Sequence, residues 1–205
     1  MMRRFLVIGS LFLAAAFTLS PSPSSAAQSP RAFVKGVCKQ GLQAASSNLP
    51  APQRIVAFQQ LFEAAFDVPA IAQFALGLNW RYLNPQQQQE YVGLFGQYTA
   101  QAYATALSQY AGARVKVGEV SRSSAGEVIV SSKIKRPGAA PVKIHWYLVD
   151  HGGQYRIVDV VVEGVSQRIT GRNELAGVIE RNNGRADTII PILRQLLAQN
   201  ASRTQ

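Results

Sequence analysis

Between Arg31 and Phe66 the apolar residues Val34, Val37, Cys38 and Leu42, then Ile55, Phe58, Leu61, Phe62 and Phe66, recur at intervals of three and four. That spacing predicts two amphipathic helices, separated at Leu49-Pro50-Ala51-Pro52, because a residue preceding proline is pushed out of helical geometry. Pro69 opens a third, short helix through Ile71, Phe74, Ala75 and Leu76, which Gly77 ends. Asn84-Pro85-Gln86-Gln87 is a helix start with an N-cap, a proline at the first helical position and a glutamine able to close a capping box. The helix it opens runs to about Tyr110, with Val92, Leu94, Phe95, Tyr98, Ala102, Leu107 and Tyr110 on its apolar stripe.

After Gly112 the period changes to two. Val115, Val117 and Val120, then Val128, Val130 and Ile134, then Val142, Ile144, Trp146 and Leu148, then Ile157 to Val162, predict four strands of an antiparallel meander. Turns fall at Ser123-Ser124-Ala125-Gly126, Arg136-Pro137-Gly138 and Gly152-Gly153. Helical spacing returns over Asn173 to Arg181 and Arg185 to Ala198. N-terminal helices, four strands and C-terminal helices make an α+β domain with helices packed on a sheet. With Gly152-Gly153 at the tip of the last hairpin, Trp146 faces Asp159, and Ile144, Leu148, Ile157 and Val161 share their side of the sheet. His145, Tyr147, Val149, Val158, Val160 and Val162 take the other. Neither face is cleanly polar, so the sheet is covered on both sides or encloses a cavity; a filled core is the simpler of the two.

The N-terminus changes the compartment. Met1 to Arg4 are cationic, Phe5 to Leu19 are mostly apolar, and Ser24-Ser25-Ala26-Ala27 supplies small residues for cleavage, the pattern of a secretory signal peptide over 1–27. The apolar run is short of the roughly 20 residues a spanning helix needs, and Pro21 and Pro23 follow it. Residues 28–205 then form one domain. Cys38, the single cysteine, has no small residue before it and is read as a core residue on the inner face of the first helix rather than as a lipid anchor.

Composition adds two exclusions. The chain is 47% apolar and 16% charged, against roughly 25% charged for an ordinary domain, which argues against disorder. One cysteine rules out an intramolecular disulfide framework, and with 2 histidines a metal site would rest on carboxylates. Without Arg3 and Arg4, 19 basic residues face 11 acidic ones. Outside the cytoplasm such a balance points away from nucleic acid and toward either an anionic membrane surface or anionic amphiphile, or simple solubility.

Catalytic signatures are lacking: there is no Gly-rich phosphate loop, His-Glu-x-x-His helix, Gly-x-Ser-x-Gly elbow or Cys-x-x-Cys. One constellation carries possible chemistry, Asp159 beside Trp146 with His145 and Tyr147 nearby, since an acid in an apolar sheet face can serve as a general base. A carboxylate paired with the Trp146 ring N–H or a nearby arginine is the structural alternative.

Phe74-Ala75-Leu76-Gly77 with Trp80-Arg81, then Asn84-Pro85 opening a long Gln- and Tyr-rich helix, resemble the Mla-pathway periplasmic phospholipid-binding proteins, the MlaC-like members of the toluene-tolerance family. Ile144 to Leu148, Tyr155 to Val160, Val162 to Ser166 and Arg172 to Ala176 fit the same pattern in order, so the likeness runs from about Ile55 to Ala198. Thr170-Gly171-Arg172, where the family usually has Thr-Gln-Arg, and Asn182-Asn183-Gly184 depart from it. The resemblance implies a soluble periplasmic shuttle with an apolar cavity between helices and sheet and no cofactor. Its implied partners are a two-chain phospholipid or, in a sister branch, a hopanoid-type lipid. Beyond these stand an inner-membrane ABC-transporter complex, an outer-membrane lipoprotein complex and transient contact with a membrane surface. Phe74, Trp80, Leu94, Phe95, Tyr98, Ile144, Trp146, Ile157 and Val161 are the candidate lipid-lining residues, and Arg81, Arg168 and Arg172 the candidates for a head group or partner. A small enzyme using Asp159 and a filled-core adaptor are the rival readings.

Overall fold

The computed structural model describes residues 28–46 and 50–203; the leader expected at 1–27 lies outside the described residues, as does Leu49 of the first interhelical break. Helix α1 (Pro30–Ser46) and α2 (Ala51–Ala65) follow the two predicted stripes, and Pro50 caps α2 with Pro52 in its first turn. Helix α3 (Val68–Leu76) starts where the Asp67 side chain accepts from the Ala70 amide at 3.1 Å. It stops at Gly77, whose φ of 58° favours glycine. A 3₁₀ segment, Gly77–Tyr82, leads to α4 (Pro85–Leu107). There the capping box closes as the sequence dictates: the Gln87 amide donates to Asn84 and the Asn84 amide to the Gln87 side chain, both at 2.9 Å. The last predicted turn of α4 tightens into a 3₁₀ segment, Ser108–Tyr110.

The sheet is an antiparallel meander in the order β1 (Arg114–Arg122), β2 (Val128–Lys135), β3 (Val142–Asp150), β4 (Tyr155–Val162) and β5 (Val165–Ser166). It has five strands rather than the predicted four. The extra strand is two residues long, too short for alternation to reveal. It returns through a two-residue turn, Glu163-Gly164, with φ of 48° and 86°, the positive values a tight hairpin demands.

The expected register of β3 and β4 is corrected. Trp146 faces Val160 and Tyr147 faces Asp159, whereas Leu148 faces Ile157, so Val158 is an extra residue. This β-bulge shifts the far half of β4 by one place. Val161, opposite His145, and Asp159 therefore leave the face of Ile144 and Trp146, and Val160 and Val162 join it.

Helix α5 (Gln167–Arg181) begins six residues before the predicted Asn173 because its first turn is polar and carries no apolar stripe. Ser166 caps it, accepting from the Ile169 amide at 3.1 Å. After a 3₁₀ turn, Ala186–Thr188, α6 (Ile189–Arg203) closes the described chain. Helix α1 lies on β1 and β2, α4 runs between α2 and α6, and α3 packs on α5. Among the described residues no helix is long and apolar enough to cross a membrane. Val34, Val130, Ile144, Trp146, Leu148 and Ile157 build the core between sheet and α1. Ala72, Leu76, Tyr91, Ile189 and Leu193 build the one among α3, α4 and α6. The Tyr91 hydroxyl, fully buried there, donates to the Ala72 carbonyl at 3.1 Å.

Candidate binding cavities

Between these cores the packing is incomplete. One cavity of about 270 Å³ lies among α3, α4, α5 and β4, lined by Ile71, Ala75, Phe95, Tyr98, Ala102, Val158 and Leu175. A second, of about 310 Å³, lies among α1, α2, α4 and the sheet, lined by Cys38, Leu42, Phe58, Leu61, Ile134, Ile144, Trp146 and Val162. Phe62, Phe66, Tyr103, Ala106, Val160 and Gln167 border both, so the two compartments share one wall. Phe62 stands 4.5 Å from Phe66 and 6.2 Å from Tyr103 between ring centroids, which makes that wall an aromatic cluster.

The second compartment has no charged residue in its wall, and the charged groups of the first are Asp159, Arg168 and Glu174. Burial pushes the Cys38 thiol up to about 12. Burial, reinforced by the charges of Asp159 and Glu174, pushes the Tyr103 phenol up to about 12, so both are neutral at physiological pH. The Trp146 indole N–H is spent on buried Ser132, 2.9 Å from its Oγ, leaving the apolar ring to the cavity.

Polar groups gather at one end of the first compartment, around the start of α5. Asp159 is buried and holds three donors: the Val160 amide at 2.8 Å, the Arg168 amide at 3.0 Å and the Ser166 hydroxyl at 2.6 Å. The carboxylate thus caps α5, and neither the Trp146 ring N–H nor an arginine side chain is its partner. Arg168, which lines this compartment, lies 4.4 Å over the Phe74 ring and 3.8 Å from Glu127, and its buried Nε has no hydrogen-bond partner. Arg172 lies 5.2 Å over the same ring and packs on Gly77, where a Cβ would come within 3.2 Å of it.

Of the residues singled out in the sequence, Phe95, Tyr98 and Arg168 border the first compartment, and Ile144 and Trp146 the second. The others fall elsewhere. Phe74 is the cushion beneath two arginines, Trp80 packs edge-on against Tyr91 at 6.3 Å, and Leu94 supports the helical core. Ile157 is sealed in the sheet core, Val161 is on the opposite face, and Arg81 lies 5.3 Å over Tyr82 outside both compartments. Sequence reasoning missed the shared wall. It also missed the small side chains that leave the space open, Ala102 and Ala106 on α4, although alanines at 100, 102, 104 and 106 within one helix are a visible deficit of volume.

This architecture has known counterparts. The family model described as MlaC protein matches residues 38–195. The toluene tolerance protein ttg2D of Pseudomonas putida is 24% identical over 188 residues, covering 89% of this chain and 86% of that protein. The solved structure of a phospholipid-binding protein from Ralstonia solanacearum, in complex with a phospholipid, superposes with a TM-score of 0.69 at 23% identity, covering 85% of this chain and 98% of that one. With the match spanning most of its length, the chain belongs to the MlaC family.

Proposed function

We propose that this protein is a periplasmic lipid carrier whose two compartments receive the acyl chains of one two-chain phospholipid. The observation that carries the reading is the pair of apolar cavities on either side of the Phe62, Phe66 and Tyr103 wall. The P. putida and R. solanacearum relatives, named for toluene tolerance and for phospholipid binding, support it. Two flexible chains suit a divided space, whereas a rigid polycyclic hopanoid-type skeleton needs one undivided volume.

Energetics favour a carrier without covalent chemistry. Hydrocarbon burial is worth about 0.8 kcal/mol per CH₂, so two chains of about 16 carbons cost on the order of 25 kcal/mol if left in water. A cavity as apolar as the bilayer removes that cost and leaves direction to the partners, which on this reading are an inner-membrane ABC-transporter complex and an outer-membrane lipoprotein complex. Arg168, with an unpaired Nε at the first compartment, is the residue assigned to the head-group phosphate, and Arg172 stands beside it over Phe74. Asp159, engaged by three donors at the start of α5, supports a structural rather than a general-base role.

Organic extraction of protein purified without detergent from a Gram-negative periplasm tests this reading. Two-chain phospholipid in near-stoichiometric yield is expected. A polycyclic lipid would redirect the assignment to the hopanoid-linked branch, and an extract without lipid would overturn it.

A further inference from the structure

The face of β1, β2 and β3 turned away from α1 carries a row of cations set directly against one another. In the strand register Arg114 faces Lys135, Lys116 faces Lys133, and Lys133 in turn faces Lys143. All five are exposed, and among the described residues none makes an ion pair. Of the nearby acids, Glu163 accepts from the Lys143 amide, and among the described residues neither Glu163 nor Glu119 is ion-paired to the row. Like charges directly opposite on a sheet oppose folding, and the buried side chains of these strands are all on the other face. The row therefore answers to something outside the fold.

Two features narrow what that is. None of the large exposed apolar residues, Val56, Leu78, Tyr82, Val120, Val165 and Ile169, belongs to the row, so it lacks the aromatic or aliphatic anchors on which protein interfaces depend. A flat, extended set of cations suits a surface of evenly spread negative charge. The row also ends beside the second compartment. Ile134 and Ile144, neighbours of Lys133, Lys135 and Lys143 but on the opposite face, line that cavity. Arg136, the next residue after β2, lies 4.9 Å over Tyr110 and donates to the Gln109 side chain at 3.1 Å, and both of these border the same compartment.

The geometry points to a docking face for an anionic bilayer, in which Arg114, Lys116, Lys133, Lys135 and Lys143 engage lipid phosphates. Docking stands on the charge pattern, and lipid content is a separate readout that tests the carrier reading alone. Co-sedimentation of the mature protein with vesicles of phosphatidylglycerol and phosphatidylcholine, against phosphatidylcholine alone, measures it. Binding is expected only with the anionic vesicles and is abolished by high salt. The triple variant Lys116→Gln, Lys133→Gln, Lys143→Gln should bind them roughly a hundredfold more weakly, about fivefold per charge, while its extracted lipid content is unchanged. Arg31→Gln, Lys35→Gln, Lys39→Gln, an equal loss of charge on α1, should bind as the parent does. Parent protein that ignores anionic vesicles, a ladder variant that binds normally, or an α1 variant equally impaired would each overturn the inference. Normal vesicle binding by a ladder variant that has lost an acidic protein partner would overturn it in favour of that partner. Protein that binds vesicles through the row yet never contains lipid would sink the carrier reading alone.

Discussion

The buried carboxylate of Asp159 fastens the start of α5 to β4. An acid in a run of valines reads as reactive, but its three donors come from Val160 and from the Ser166 to Arg168 turn, a polar stretch whose helical character no apolar stripe reveals. Asp159→Asn weakens charge-assisted bonds and should cost about 1.5–3 kcal/mol in urea denaturation, while the variant still carries lipid. Loss of cargo without loss of stability would contradict the capping role. Ser132→Ala leaves the buried Trp146 N–H without its acceptor and should destabilise by about 1–3 kcal/mol; an unchanged urea midpoint would show that the indole finds another partner. Cys38 supplies a pH signature. Its thiol stays protonated in the fold up to about 12, against an ordinary 9.0. As the pH rises above 9.0 the unfolded chain releases a proton that the folded one keeps. The associated stability, fully present below that pH, is thus lost progressively until the folded group itself ionises. Denaturation series at pH 9 and 10 should show the parent losing about 1 kcal/mol more than Cys38→Ala over that unit.

At the scale of elements, helices with a strong stripe or an explicit cap were legible. Asn84-Pro85-Gln86-Gln87 dictates its capping box from four residues alone, and Asn84→Ala should cost about 1 kcal/mol of thermal stability. What stayed hidden depends on tertiary contacts. The Val158 bulge cannot be read from alternation, because a run of valines looks the same in either register, and one added residue exchanges the faces of Asp159 and Val160. Strand β5 is too short to have a period, and the start of α5 is fixed by a cap from β4 rather than by its own pattern. The basic row belongs to this scale too, since only the register reveals that Lys133 faces both Lys116 and Lys143. Lys133→Gln relieves both contacts and should raise stability by about 0.5 kcal/mol. A fall in the urea midpoint would mean that the row is held by attractions within the fold.

Over the whole molecule, the resemblance implied a cavity between helices and sheet, and the structure divides that space in two. Of the apolar and aromatic positions expected to line it, Phe95, Tyr98, Ile144 and Trp146 border the two compartments. The wall of Phe62, Phe66 and Tyr103 joins α2, its end and α4, which lie apart in sequence and meet only in the fold. Phe74, Trp80 and Leu94 have the same apolar character but are consumed in packing, a distinction that residue type alone does not encode. On the carrier reading, lipid fills the space left by Ala102 and Ala106. Native mass spectrometry of the detergent-free protein beside Ala102→Phe and Ala106→Phe tests it most directly. A mass increment of one two-chain phospholipid is expected on the parent, reduced or lost when either alanine is enlarged in a protein that remains folded. A parent that flies as bare polypeptide even after incubation with phospholipid vesicles, or variants that carry the full increment, would contradict it.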